Sequence, residues 1–128
     1  MNISAFLPRP LHHRAVRELR LAAVSGDADR LESMLAPDVA VVVDSGDDEH
    51  PALRMVNGTF DAVSLLLHSM ARKPELEVVE RPVNGQAGLL LSAGGETTAA
   101  MTVDFAGALI SVIWVRLHPQ ALRRGHHV

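Results

Sequence analysis

The second half of the sequence constrains the fold most, because glycine-containing turns divide it into four apolar runs. The runs read LEVVERPV, QAGLLLSA, ETTAAMTVDF and ALISVIWVRL, and the turns between them are Asn84–Gly85, Gly94–Gly95 and Ala106–Gly107. Asn-Gly and Gly-Gly pairs between apolar runs favour tight hairpins, since both turn residues must adopt positive φ. This half therefore predicts an antiparallel meander of four strands.

The beginning of the chain predicts two helices. Apolar residues recur every three to four positions among arginines from His12 to about Gly26, which predicts an amphipathic helix. An extended lead-in over residues 1–10 precedes it, because Pro8 and Pro10 disfavour a helix there. Asp27 is the predicted N-cap of a second, shorter helix, which Pro37 stops.

Between these helices and the meander, the sequence predicts two strands and a third helix. The β-branched run DVAVVVD predicts a strand with little solvent on either face. A short strand is expected near Arg54–Val56, and a helix begins at Asn57–Thr59 and ends before Pro74. The predicted apolar face of that helix consists of Phe60, Val63, Leu66, Leu67 and Met70.

Helices that are segregated from hairpin-linked strands predict an α+β fold. The 128 residues, of which 48% are hydrophobic, fit one domain with a core over about 11–122 and a frayed tail over 123–128. Three helices in the N-terminal half, packed on one side of a long curved antiparallel sheet, would make a cone. Its interior is either filled or hollow.

Composition excludes several classes of function. The chain has no cysteine, which excludes disulfides, thiol catalysis and thiolate-bound metals. The net charge of -3 gives no global attraction to nucleic acid or to an anionic membrane, and the longest apolar run is too short to span a bilayer. The N-terminus lacks the pattern of a signal peptide. We expect a cytoplasmic protein without a cofactor.

Three stretches of the sequence resemble the SnoaL-like branch of the nuclear transport factor 2-like superfamily. They are AVRELRLAAVSGDADRLESMLAPDVAVVVDSG, VNGQAGLLLSAGGE and ISVIWVRLHPQAL. The chain is most similar to the C-terminal SnoaL-like extension of certain extracytoplasmic-function sigma factors. The resemblance implies a cystatin-like α+β roll and a homodimer that forms through the outer face of the sheet.

Two motifs of those sigma factors are only partly kept. Their aspartate-triglycine motif reads DSGDDEH here and keeps Asp44 and Gly46, and their motif after the last strand reads HPQAL and keeps Pro119 and Leu122. The sequence contains no sigma domain. We therefore expect a free-standing relative that does not bind nucleic acid directly.

Asp44, at the end of the first long strand, is the candidate catalytic residue. In the steroid isomerase branch of the superfamily a general-base aspartate ends this strand, and the resemblance implies the same role for Asp44. An apolar cone would disfavour the charged form of such a carboxylate and so favour proton transfer. However, the chain has no tyrosine, and Thr98–Ala100 supplies no second acid to stabilise an oxyanion. The alternative is a turn aspartate that accepts hydrogen bonds from backbone N–H groups around Gly46.

Four further residues are candidates for lining a pocket in the cone: Phe60, His68, Met101 and Trp114. His68 could act as an acid or base near neutral pH, although a histidine on the flank of a helix is more often solvated. Trp114 faces either the cone interior or the outer side of the sheet, and an apolar outer side predicts an interface. The acidic loop lacks the spacing of a calcium-binding loop, so no metal site is predicted.

The sequence leaves two hypotheses open. In the first, the chain is a non-catalytic module that binds a small apolar ligand or a regulatory partner. In the second, it is an isomerase- or cyclase-like enzyme that acts on a small apolar substrate with Asp44 as the general base. An open pocket with Asp44 pointing inward favours an enzyme or a ligand binder, whereas a filled cone with Asp44 pointing outward favours an interaction module.

Overall fold

A computed structural model describes residues 9–46, 49–50, 52–71 and 73–118. These residues form three helices and one six-stranded sheet. The helices are α1 (Arg9–Ser25), α2 (Ala28–Met34) and α3 (Thr59–Met70). The strands are β1 (Leu35–Asp44), β2 (Leu53–Asn57), β3 (Leu76–Val83), β4 (Gln86–Ala93), β5 (Glu96–Ala106) and β6 (Leu109–Leu117).

The start of α1 differs from the prediction. The helix begins at Arg9 rather than near His12, so the extended lead-in predicted through residue 10 is wrong for its last two residues. Pro10 lies in the first turn of α1, where a proline costs little because the N–H groups of that turn have no partner within the helix.

The boundary between α2 and β1 also moves. Asp27 caps α2 as predicted, since its side chain accepts a 3.1 Å hydrogen bond from the Arg30 N–H group. However, β1 begins at Leu35, so Pro37 lies inside the strand instead of marking the end of the helix. The pairing of β1 with β6 is irregular between Leu35 and Ala40, and a proline is tolerated where the ladder is interrupted.

The strand order in the sheet is β2-β1-β6-β5-β4-β3. The meander from β3 to β6 is antiparallel, as predicted, and its third turn lies at Gly107–Ala108, one residue later than expected. β1 pairs with β2 in antiparallel fashion but with β6 in parallel, so the sheet is mixed rather than wholly antiparallel. The α+β fold class is confirmed.

The pairing register divides the side chains of the sheet between two faces, because residues directly opposite each other on neighbouring strands share a face. We call the face that packs against the helices the inner face, and the opposite side the outer face. One row of partners on the inner face is Glu80, Leu89, Met101, Val115, Val43 and Arg54. The adjacent row on the outer face is Arg81, Gly88, Thr102, Trp114, Val42 and Met55. A slip of one residue would exchange the two rows.

The apolar core lies between the inner face and the three helices. Leu19 of α1, Leu31 of α2 and Leu66 of α3 are fully buried there, and no polar or charged side chain among the described residues is buried. Phe60 does not take part: it is 82% exposed, so its predicted place on the apolar face of α3 is wrong. No helix among the described residues is long and apolar enough to cross a membrane.

The carboxylate of Glu80 on β3 forms ion pairs with α1 at the edge of the inner face. The half-buried Glu80 side chain accepts a 3.3 Å hydrogen bond from Arg20 Nε and lies 3.6 Å from Arg17 Nε. Two of the arginines on the basic side of α1 are therefore used in packing the helix onto the sheet.

A bulge in β6 changes the faces predicted for its first residues. Asp104 pairs with Val112 whereas Phe105 pairs with Ile110, so Ser111 is an extra residue on β6. Strict alternation along the last strand, read from the sequence alone, would put Ile110 on the same face as Trp114. That assignment is wrong, because the bulge turns Ile110 inward and leaves it only 1% exposed.

We predict that Gly88→Ala destabilises the fold by about 1–3 kcal/mol, because overpacking forces neighbouring groups apart. A Cβ atom at this position would lie 2.7 Å from the Met101 carbonyl oxygen and 2.8 Å from Val83 Cγ2. Chemical denaturation measures the free energy of unfolding, with Ser92→Ala on the same strand as the control. A Gly88→Ala change no larger than that of the control would contradict the close packing of β3 on β4.

Candidate functional site

A cavity of about 450 Å³, here called the outer pocket, lies on the outer face of the sheet. Its floor is formed by small side chains of β5, Ala100 and Thr102, and its sides by Trp114 of β6 and the β3–β4 turn at Asn84. The remaining lining residues are Val42, Asp44, Leu53, Val83, Gln86, Asp104, Val115 and Arg116. The pocket is therefore an open depression on the sheet beside the half-exposed indole, with charged groups around it.

The indole of Trp114 is held in one orientation. Its Nε1–H group donates a 2.7 Å hydrogen bond to Asp104 Oδ2, which lies on the same face of β5. The side chain is nevertheless 46% exposed. The hydrogen bond satisfies the polar edge of the ring, so the exposed part of Trp114 is an apolar surface.

Asp44 lies in the outer pocket and not inside the cone. It pairs in register with Arg116, and its neighbour two residues earlier, Val42, pairs with Trp114, so all of these side chains belong to the outer face. Asp44 Oδ1 accepts a 3.2 Å hydrogen bond from the Gly46 N–H group. The hydrogen bond expected of a turn aspartate is thus present.

A second cavity of about 310 Å³, here called the inner pocket, opens on the inner face. It lies beside Ser69, near the end of α3. Its lining residues are Ser69, Leu91, Thr98, Ala99, Met101, Val115 and Leu117. The Thr98 hydroxyl donates a 3.1 Å hydrogen bond to the Leu91 carbonyl oxygen. Among the described lining residues, the hydroxyl groups of Ser69 and Thr98 are the polar side-chain groups, and the other side chains are apolar.

The predicted pocket-lining residues do not come together at one site. Met101 lines the inner pocket and Trp114 the outer pocket, so the sheet separates them. His68 is exposed on α3 and lines neither pocket, although its backbone carbonyl accepts a 2.8 Å hydrogen bond from Lys73 Nζ. The exposed Phe60 lines neither pocket.

Sequence reasoning missed Ser69 and Thr98 of the inner pocket and Asp104 of the outer pocket. Alternation along β5 would have grouped Ala99 with Met101, and Thr102 with Asp104, but it does not say which group faces the helices. The hydrogen bond of Trp114 to Asp104 depends on the register between β5 and β6, which no local pattern reveals.

No metal site is found among the residues that the structure describes, since no three or more His, Asp or Glu side chains there could hold an ion together. Two acids of the predicted acidic loop, Asp47 and Asp48, lie outside the described residues. Glu49 and His50 of the same loop are exposed.

Comparison with known proteins gives matches only at the level of structure. No protein-family model and no curated protein sequence matches the chain. A bacterial protein with a cystatin-like fold from Silicibacter pomeroyi superposes with a TM-score of 0.60 at 18% identity, over 90% of this chain and 84% of that one. An NTF-2 like protein of unknown function from Burkholderia xenovorans gives a TM-score of 0.57 at 13% identity, over 84% and 83%.

The fold is that of the nuclear transport factor 2-like proteins.

The extracytoplasmic function sigma factor SigJ of Mycobacterium tuberculosis is a further structural neighbour, with a TM-score of 0.62 at 23% identity. The match covers 86% of this chain but only 43% of the sigma factor, so the shared fold spans less than half of that protein. At this identity the likeness concerns the fold alone. The fold implied by the resemblance of the sequence is confirmed.

His12 on α1 is a titratable group that lines neither pocket and whose environment is unfavourable to charge. Its ring meets Phe105 edge to face with the centroids 5.0 Å apart, and its Nε2 atom is buried without a hydrogen-bond partner. Desolvation lowers the pKa of His12 below the ordinary 6.5, the nearby His13 lowers it further, and Asp104 opposes the shift. The folded state therefore favours the neutral imidazole.

We predict that protonation of His12 destabilises the fold in mild acid. A lowered pKa means that below pH 6.5 the unfolded chain binds a proton that the folded chain does not, so stability falls as the pH falls through this window. His12→Gln should flatten the dependence of the unfolding free energy on pH between 7 and 5.5, whereas His68→Gln, which keeps His12, should not. Equal slopes in wild type and His12→Gln would contradict the desolvation of this half-buried ring.

Proposed function

We propose that this chain is a non-catalytic binding module that takes a small apolar ligand in the inner pocket. One observation carries the proposal: the inner pocket has no titratable side chain among those of its lining residues that the structure describes, while Asp44 lies on the opposite face of the sheet. Proton-transfer catalysis requires an acid or base within hydrogen-bond reach of the substrate. A ligand in the inner pocket would meet none among these residues.

The lining indicates the chemistry of the ligand. A volume of about 310 Å³ lies at the small end of the range for ligand pockets. The Ser69 hydroxyl can donate or accept one hydrogen bond, and Thr98 retains acceptor capacity because its own proton goes to Leu91. The pocket thus suits a compact hydrocarbon or aromatic group that carries one polar atom.

We further propose that the module is a homodimer whose subunits meet through the outer face. Leu53, Met55 and Trp114 are exposed there by 69%, 62% and 46%, and an exposed apolar patch on a sheet usually marks an interface. A regulatory partner, implied by the resemblance to sigma-factor extensions, would compete for the same face.

We propose a cytoplasmic location, because a chain without cysteine needs no oxidising compartment.

The alternative function, a proton-transfer enzyme with Asp44 as its base, would have to use the outer pocket. The observation in its favour is that Asp44 and Trp114 line one cavity. Against it, one oxygen of Asp44 is already engaged by the Gly46 N–H group, and a second subunit on the outer face would cover the pocket.

We predict that Ser69→Leu weakens binding of the uncharged fluorescent probe N-phenyl-1-naphthylamine by about tenfold or more. The reason is that the leucine side chain fills the inner pocket, so the apolar probe loses its cavity. The matched control is Ser64→Leu, an exposed position on the same helix. Probe titration followed by fluorescence gives the dissociation constants.

The second control in this experiment is Asp44→Asn, which should leave probe binding unchanged. Loss of binding in Asp44→Asn with retention in Ser69→Leu would move the ligand to the outer pocket and favour the enzymatic alternative. Retention of full affinity in all three variants would contradict a ligand site at either position.

We predict that sedimentation equilibrium of the wild-type chain gives the mass of a dimer, and that Met55→Asp weakens it, since the charge must be desolvated when the outer face is covered. Phe60→Asp, at an even more exposed apolar position on α3, is the control. A monomeric wild type would contradict the homodimer.

A further inference from the structure

We propose that two copies of this chain pair by placing Trp114 of each in the outer pocket of the other. This inference rests on the homodimer proposed above and specifies the contact that sets its geometry. The starting observation is that the outer face carries a projecting side chain and a depression next to each other, on neighbouring strands.

Two-fold symmetry requires a self-complementary surface, because the same patch serves both subunits. On the outer face, Trp114 projects from β6, and the depression over Ala100 and Thr102 lies on the neighbouring β5. A two-fold axis that runs between β5 and β6, parallel to the strands, would bring each indole over the depression of the other copy. Because the indole of Trp114 and the depression on β5 lie on opposite sides of this axis, the surface is self-complementary.

The depression exists because the sequence has small residues where the outer face could carry large ones. Ala100 and Thr102 are two neighbouring outward residues of β5, and the residue opposite Thr102 on β4 is Gly88, over which Val83 packs. The resulting volume of about 450 Å³ is large enough for an indole.

The side chain of Trp114 already has a fixed orientation in the single subunit. Its hydrogen bond to Asp104 fixes the ring, so less side-chain freedom is lost on binding than for an unrestrained indole. The same bond satisfies Nε1–H, so burial of the exposed ring leaves no donor without a partner.

The proposed axis also covers the rest of the apolar patch. With the axis between β5 and β6, β1 faces the partner's β4 and β2 faces the partner's β3, since the strand order is symmetric about that point. Leu53 and Met55 of β2 then lie over the partner's β3. Taking about 3.3 Å per residue and about 4.8 Å per strand, the outer face measures roughly 800 Å², which equals the area of about 800 Å² that each partner buries in a standard interface.

The experiment uses the fact that Trp114 is the single tryptophan of the chain. Intrinsic fluorescence therefore reports on this residue alone. On dilution of the wild type through its dissociation constant, measured by sedimentation equilibrium, we expect the emission maximum to move to longer wavelength as the indole leaves the partner's pocket and enters water.

Two variants test the contact from both sides. Ala100→Leu fills the depression and Trp114→Ala removes the projection, and each should raise the dimer dissociation constant by about tenfold or more, as expected for a central aromatic anchor. Ala28→Leu, an exposed alanine on α2, is the control and should leave the constant unchanged. Circular dichroism and thermal melting verify that each variant is folded.

The possible results separate this inference from the proposal on which it rests. A monomeric wild type overturns both. A wild-type dimer whose tryptophan emission does not change on dilution, or whose dissociation constant is unaffected by Trp114→Ala, overturns the contact alone and leaves the homodimer standing. The wild-type dilution and Trp114→Ala decide the matter even if Ala100→Leu does not fold.

Discussion

The parallel pairing of β1 with β6 is the constraint on which the rest of this structure depends. It sets Val41 opposite Ile113 and Asp44 opposite Arg116, so one register decides which residues of both strands face the helices. Val41 and Ile113 are buried in the core, whereas Asp44 and Arg116 lie on the outer face of the sheet. Because side chains alternate along a strand, a shift of β1 by one residue would turn Asp44 toward the core and Val41 away from it.

This register gives the two faces of the sheet different chemistry. The inner face is apolar and filled by the helices except at the inner pocket, where the described lining residues carry two hydroxyl groups and no other polar side-chain group. The outer face combines exposed apolar side chains with the charges of Asp44, Asp104 and Arg116, which is the mixture typical of a surface that binds another protein. Ligand binding on one face and association on the other are therefore compatible within a single domain.

Local signals in the sequence were sufficient for the hairpins, for the helices and for the fold class. The turn at Asn84–Gly85 and the N-cap at Asp27 were predictable because each depends on residues within a few positions. The side of the sheet on which Asp44 lies was not predictable from local signals. It follows from the pairing of β1 with β6, a strand some 70 residues away in the sequence. The bulge at Ser111 was likewise not predictable from local signals, and it puts Ile110 on the opposite face of the sheet from Trp114.

We propose that a ligand binds on the inner face, where the sheet separates it from Asp44 and Trp114. The most direct test is a titration of the ¹⁵N-labelled chain with N-phenyl-1-naphthylamine, followed by two-dimensional NMR. The account predicts that chemical-shift changes concentrate at Ser69, Thr98 and Ala99, while the single indole N–H signal of Trp114 stays in place. Large changes at that indole signal and at Asp44, with none at Ser69, would contradict it.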